Sequence, residues 1–449
     1  MSVNIPLISH AKPDSVFAYR NGQPILVAQF LHDVHMLAIQ LPQLRYILNL
    51  CTDRYHFAVG FAAALLKEQI SLLPPNYTPG FVTRLQQDYP EMYCLVDGQT
   101  DLQDIHILPY PQHLNTVSTQ HDIPKIPAQQ IAALVFTSGS TGQAIAHPKS
   151  WNSLCSGASA AARRLNIEAD SGMAVLGTVP TQHMYGLESC LMLVMCNGLS
   201  LIAERPFFPA DIVMRLNELP APRCLITTPI HLRSLVQDET PLPTVEFVLS
   251  ATAHLPNQLA HEAEDKLGTP LYEIYGFTEA GMVASRRPTA SATWKLLPDI
   301  VLAEDVSGYR VSGGHIEIAT PVGDIIERQT EDTFLLLGRT TDLVNIAGKR
   351  TSLANLNHIL NGINGVVDGV FFMPDESEGS MNRPLAFVVA PTLSKEDILH
   401  ALRQAVDPVF LPRPLYIVET ITRNTTGKIT RESLMQLLAS CKINAKTTS

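Results

Sequence analysis

The chain has 449 residues, 46% of them hydrophobic and 16% charged, and a formal net charge of −10. That length exceeds one hydrophobic core and predicts two or more domains; the composition excludes a disordered chain, and the acidity excludes general nucleic-acid affinity. The charge is uneven: from residue 340 onward 11 Lys/Arg face 10 Asp/Glu, so nearly all of the negative excess lies before that point and a boundary near 340 is expected.

Helical spacing covers Gln29–Leu41, and Tyr46–Leu50 reads as a short strand. Tyr55–Lys67 is an Ala-rich helix, and Ile70–Leu73 a strand ended by Pro74-Pro75. Phe81–Asp88 reads as helix and Met92–Val96 as strand. Such alternation predicts an α/β fold: a mainly parallel sheet with covering helices. Residues 108–130, rich in Pro, Gln and His, read as a connector. The apolar run Ile131–Phe136 leads into Thr137-Ser138-Gly139-Ser140-Thr141-Gly142. Next come a helix over Leu154–Leu165, a strand Ala174–Val179, and the segment Pro180-Thr181-Gln182-His183-Met184-Tyr185-Gly186. The mostly apolar Leu187–Ala203 is a poor bilayer span, because Glu188 and Asn197-Gly198 interrupt it. Strands over Ser200–Ala203, Cys224–Thr227 and Val245–Ser250 alternate with helices over Ala210–Leu216, 230–236 and His261–Leu267. Short β-runs over 300–337 predict a β-rich subdomain. No basic, apolar leader is read at the N-terminus. The seven cysteines form no C-x-x-C pair, which predicts a reducing, cytoplasmic setting.

Four hydroxyls and two glycines follow the 131–136 strand directly. Glycines bring backbone N–H groups close to a ligand and hydroxyls add donors, so this loop is a candidate phosphate cradle; the plain alternative is a flexible surface loop. Tyr275-Gly276-Phe277-Thr278-Glu279 follows an apolar strand, where a carboxylate can hold Mg²⁺ against phosphate oxygens. Asp324, in Val322-Gly323-Asp324, is a candidate acceptor from ribose hydroxyls, or a turn Asp. Lys428, in Thr425-Thr426-Gly427-Lys428, can bring positive charge to an oxyanion, or is a surface lysine.

In this order and spacing, with Gly338-Arg339-Thr340-Thr341-Asp342 between the last two, the motifs resemble the adenylate-forming superfamily. That group comprises acyl- and aryl-CoA synthetases, nonribosomal peptide synthetase adenylation domains and firefly luciferase. The resemblance spans roughly residues 20–435. It implies a large N-terminal domain (1–339) and a small, mobile α+β C-terminal domain (340–449), with a hinge in Arg339–Asp342. It implies a carboxylate activated by ATP to an acyl-adenylate, then passed to a phosphopantetheine thiol on CoA or an acyl carrier protein. By motif match, Thr137, Ser138, Ser140 and Thr141 contact the phosphates, with Gly139 and Gly142 shaping the loop. Thr278 touches the α-phosphate and Glu279 holds Mg²⁺. Tyr275 lines the nucleotide site, and Asp324 and Arg339 bind the ribose. Arg350 approaches the phosphates, and Lys428 stabilises the charge that develops in the adenylation step. His183 lies near the substrate carboxylate and the thiol entry. Thr228, Ala251, Gly276 and Phe277 belong to the substrate pocket and the adenine loop.

The chain departs from the family pattern in one place above all. The usual continuation after the last glycine is x-Pro-Lys-Gly, but here Pro148-Lys149 arrives four residues late. Lys149 either still reaches the β- and γ-phosphates or leaves that charge missing. The leading expectation is an ATP- and Mg²⁺-dependent acid–thiol ligase acting on a small acyl or aryl acid. A carrier protein, if it is the acceptor, has Lys428, Arg431, Lys442 and Lys446 as candidate contacts. Amide formation and a non-catalytic nucleotide binder are the alternatives.

Overall fold

A computed structural model describes residues 3–74, 76–112, 122–138, 144–253, 255–306, 308–339, 343–346, 349–374, 383–423 and 429–447. Two sheets organise the larger part. The first runs in the order Ala144–Ser150, Ile131–Ser138, Ile70–Leu73, Tyr46–Asn49, Met92–Val96, Ile107–Pro109, and is parallel except for its first pair. The second has eleven strands. Its parallel centre is Leu271–Phe277, Val248–Ser250, Arg223–Thr227, Ala174–Gly177, Ser200–Ile202 and Val16–Arg20. Antiparallel strands extend both of its edges.

The sheets share one core, because a single cluster contains Ile47 and Tyr93 from the first and Val175, Leu201 and Leu249 from the second. Between them lie the helices Arg54–Leu66 and Trp151–Arg164, whose small residues allow close approach. Gly60 shows how close: a Cβ there would sit 2.6 Å from Asn49 Nδ2 and Leu95 Cδ2. Burial of such all-apolar faces is the dominant favourable term in this packing. A separate cluster packs Pro209–Glu218, Pro229–Gln237 and Asn257–Leu267 onto the outer face of the eleven-stranded sheet.

After Arg339 the chain leaves the large sheet. Asp368–Phe372, Leu385–Val389 and Leu415–Ile417 form a three-stranded sheet with its own two clusters. The helices Leu353–Asn361 and Lys395–Ala405 cover one face and Arg431–Thr447 the other. One contact across to the larger part is Arg233 Nη1 donating to Val367 O at 2.6 Å. The fold is therefore α/β, with a large N-terminal part of mainly parallel sheets and a smaller α+β part.

Three expectations change in detail. The β-runs of 300–337 do not form one unit: Ile300–Asp305, Gly308–Gly313 and Ile316–Pro321 make a separate sheet, whereas Asp324–Arg328 and Thr333–Arg339 extend the large one. Within the 108–130 connector, Lys125–Pro127 pairs with Asn4–Pro6. The helix after Gly186 has a π-turn over Leu187–Met192, a widening that is frequent at functional sites. No helix among the described residues is long and apolar enough to cross a membrane.

Candidate functional site

The phosphate-loop candidate is the tip of a β-hairpin. Ile131–Ser138 pairs antiparallel with Ala144–Ser150, placing Ala144 opposite Ser138, Ile145 opposite Thr137 and Lys149 opposite Ala133. Alternation then puts Thr137, Ile145, His147 and Lys149 on one face. Thr137 Oγ1 is 3.0 Å from His147 Nε2. The hairpin ends at Ser150, whose hydroxyl accepts from Ser153 N–H at 2.9 Å and starts the next helix. Counted from Gly142, the position of the family's lysine is Ile145, which is exposed. Pro148-Lys149 is thus not a displaced copy of that element but the last turn of strand before the cap.

The second component is the turn after Leu271–Phe277. That strand pairs with Gly281–Arg286, with a register shift at Tyr275/Gly276. Gly276 has no alternative: a Cβ there would lie 2.4 Å from Gly281 O. Tyr275, Gly276 and Phe277 are the strand's own last residues, and Thr278 and Glu279 form the turn. Tyr275 OH donates to Asp324 Oδ2 at 2.6 Å. Asp324 stands opposite Arg339 in the next strand pair, so motifs fifteen residues apart come together. The Tyr275 ring packs edge-on against Phe334, 5.6 Å between centroids.

The hairpin and the turn meet. His147 Nε2 is 3.7 Å from Glu279 Oε1, and the Lys149 ammonium donates to the Glu279 main-chain carbonyl at 2.8 Å. The Glu279 carboxylate is 41% exposed and free to face a ligand, whereas Lys149 is 4% exposed. Burial lowers the Lys149 pKa against the opposing pull of Glu188, Glu279 and Glu317. Glu188, in the π-turn, is also buried; desolvation raises it to about 7. His315 is held neutral, down to about 4, by burial and then by Lys149.

The parallel strands deliver the remaining residues to one edge of the sheet, as their carboxyl ends do in open α/β folds. His183 caps a three-residue helical turn, its Nδ1 accepting from Tyr185 N–H at 3.3 Å, which leaves the proton on Nε2. The P-x-x-H-x-x-G spacing closes on itself: a Cβ at Gly186 would overlap Pro180 O. Gln182 Nε2 donates to Cys51 O at 2.7 Å, and Tyr185 OH to Leu249 O at 2.9 Å. Thr228 Oγ1 is bonded to His231 Nδ1 at 2.8 Å, and Thr178 to Thr227 through their hydroxyls at 3.0 Å. Ala251 is buried at the next strand end, and Phe277 is half-buried.

Gly139, Ser140, Thr141, Gly142 and Lys428 lie outside the described residues, and Ser138, Arg339 and Arg350 are described in their backbone only. Sequence reasoning passed over His147, Glu188 and His315. The signal for Glu188 was there: a lone acid in an apolar run, noticed only as an obstacle to a membrane span. For Mg²⁺ the donor set suits a metal that arrives with phosphates. Among the described residues no three His, Cys, Asp or Glu side chains converge as a metal site, so Glu279 would offer one carboxylate beside phosphate oxygens.

Comparison with known proteins identifies the family and the fold. The AMP-binding enzyme family matches residues 36–303. A 2-succinylbenzoate–CoA ligase of Bacillus cereus is 25% identical over 399 residues, covering 79% of this chain and 80% of the relative. ATP-bound MatB from Rhodopseudomonas palustris superposes with a TM-score of 0.82 at 17% identity, over 96% of this chain and 97% of that one. O-succinylbenzoate Coenzyme A synthetase (MenE) from Bacillus subtilis, in complex with ATP and magnesium ion, gives 0.80 at 16% identity, over 95% and 97%.

Proposed function

This chain belongs to the AMP-binding enzyme family, within the adenylate-forming superfamily, and we propose that it is an AMP-forming acid–thiol ligase that activates a small aryl or acyl carboxylic acid with ATP and transfers it to the thiol of CoA. One observation carries this reading. The hairpin face bearing Thr137 and the turn bearing Thr278 and Glu279 meet through His147 and Lys149, beside the Tyr275–Asp324 pair. Phosphate, ribose and metal functions would thereby share one cleft.

In the first half-reaction the acid's carboxylate oxygen attacks the α-phosphorus and pyrophosphate leaves. The Thr137–Gly142 loop would hold the β- and γ-phosphates. Thr278 would donate to the α-phosphate, and Asp324 and Arg339 would fix the ribose. Lys428 would offset the charge that develops between carboxylate and phosphate. His183 would present its Nε2–H to the acid. Magnesium, held at Glu279, would supply charge neutralisation on the phosphates. In the second half-reaction the thiolate sulfur attacks the acyl carbon and the C–O bond to AMP breaks. Thr228, Ala251, Gly276 and Phe277 are the proposed pocket wall. A domain division at 339/340 is supported by the end of the large sheet at Arg339 and by the separate clusters beyond it. The seven cysteines, all free, favour a reducing, cytoplasmic setting.

The names of the similar ligases favour CoA over a carrier protein as acceptor, and an acid built on an aromatic ring. The test is ATP–pyrophosphate exchange over a panel of aryl and acyl acids, followed by product analysis with CoA, a loaded carrier protein and simple amines. Exchange with an aryl acid and a CoA thioester is the expected result. Thioester on the carrier protein alone, or amide alone, would replace CoA as acceptor. ATP binding without exchange for any acid would leave only a nucleotide binder.

A further inference from the structure

The Thr278–Ala280 turn and the strand that follows it are held by two buried ionisable side chains. Lys149 Nζ donates to Glu279 O within the turn at 2.8 Å, and Glu188 Oε1 accepts the Met282 N–H just beyond it at 3.3 Å. Glu188 also fills the space beside Gly281. A Cβ on that glycine, whose φ is +82°, would lie 2.5 Å from Glu188 Oε1 and 3.5 Å from His315 Nε2. The two anchors come from different elements, the hairpin's second strand and the π-turn. Glu188 is the foremost of the carboxylates that offset burial of the Lys149 charge. Neither residue is needed for burial alone, since an apolar pair would fill the same space at lower desolvation cost.

We propose that Lys149 and Glu188 form a buried clamp that positions the Thr278-Glu279 turn, so that Lys149 serves adenylation as a positioning residue through the Glu279 main chain and not as a phosphate ligand. This rests on the ligase reading above and changes the expectation drawn for Lys149 from sequence. Its ammonium is committed to the turn, and the family's lysine position is taken by Ile145. The charge that x-Pro-Lys-Gly would bring to the phosphates is absent from that position. What this chain has instead is a lysine beneath the carboxylate that faces them.

The test uses full-length enzyme carrying Lys149→Met, Glu188→Leu, or both. The readouts are pyrophosphate exchange, thermal unfolding, and calorimetric ATP binding with and without Mg²⁺. Glu188→Leu should lose stability, because the buried Lys149 charge loses the foremost of the carboxylates that offset it, and Lys149→Met should lose it through the freed Glu279 carbonyl. The double variant should regain stability yet keep a kcat about a hundredfold below wild type, with KM for ATP within about threefold, as a displaced catalytic turn predicts. The Mg²⁺-dependent gain in ATP affinity should fall in all three. Gly281→Ala keeps both charges, pushes Glu188 aside and should lower kcat in the same way, so a misfolded double variant leaves the test standing. Wild-type kcat in the double variant or in Gly281→Ala would overturn the clamp. A raised KM with unchanged kcat in Lys149→Met would return that lysine to the phosphates. Failure of wild-type exchange with every acid would count against the ligase reading alone, and the calorimetric comparison would still judge the clamp.

Discussion

Arg54 and Lys149 are both buried cations, and they are neutralised in different ways. Arg54 donates to three main-chain carbonyls, Glu204 O and Gly177 O at 2.6 Å and Val179 O at 2.7 Å. Burial lowers its pKa to about 10, so it stays charged at neutral pH. Its planar fork binds two strand ends and leaves no room around them: a Cβ at Gly177 would sit 3.2 Å from Arg54 Nη2. Lys149 donates to a main-chain carbonyl on a turn, and Glu188, ahead of Glu279 and Glu317, offsets the burial of its charge. A cation fixed by several strand-end carbonyls braces the scaffold. A cation on a single turn, balanced by an acid from another element, sets the position of that turn.

The largest expected effect tests the scaffold side. Arg54→Met leaves three buried carbonyls without their donor and should cost about 3–5 kcal/mol of unfolding free energy, the range for breaking a buried charge network. Denaturant titration reads this directly. Exchange activity per folded molecule should fall much less than in the Lys149 variants. A stability loss below about 1 kcal/mol would erase the contrast between the two cations. Next comes Lys428→Ala. Removing one transition-state charge should reduce exchange by about 100- to 1,000-fold while the unfolding midpoint stays put. Near-wild-type exchange would remove Lys428 from the adenylation step and leave the Lys149 clamp as the cation that most affects rate.

Much of this was legible in the sequence, for reasons particular residues explain. Strand–helix alternation over 46–96 was readable because buried parallel strands are short apolar runs with fixed spacing. Gly276 stood within the Y-G-F-T-E run that carried the family resemblance, but its steric reason, the close approach to Gly281 O, shows only in the folded hairpin. The role of Lys149 was not readable. Its partner Glu279 is 130 residues away and contributes a main-chain carbonyl, which no side-chain pattern reveals. The same holds for the 300–337 β-runs: periodicity shows strands but not which sheet accepts them. The Tyr275–Asp324 bond joins two motifs recognised separately, and only the folded register at Arg339 brings them together.

Tyr275→Phe probes that junction at smaller cost. The lost hydroxyl bonds a carboxylate, so stability should fall by about 1.5–3 kcal/mol at most. KM for ATP should rise about three- to tenfold as Asp324 loses one of its constraints, with kcat little changed. A fall in kcat with unchanged KM would move Asp324 from ribose binding to positioning, alongside Lys149.

The smallest effect concerns pH, where two groups beside the turn act in opposite senses. Burial raises Glu188 to about 7 from the ordinary 4.5, so the folded protein keeps that proton longer than the unfolded chain. Its stability contribution is complete below about pH 4.5 and is lost as pH rises through about 7. His315 is lowered to about 4 from the ordinary 6.5, so the unfolded chain takes up that proton first. Its contribution is complete above about pH 6.5 and is lost as pH falls through about 4. His231, also lowered to about 4 by burial and then Arg205, adds to the second slope. Between these limits the acid and the histidines offset one another in the wild-type protein. Glu188→Gln removes only the acid's part. Unfolding free energy measured in urea at about pH 4.5, 5.5 and 6.5 should therefore climb more steeply with pH in that variant than in the wild type. Parallel slopes would mean that burial does not raise Glu188 in the folded protein, so that it would carry its full negative charge across this range.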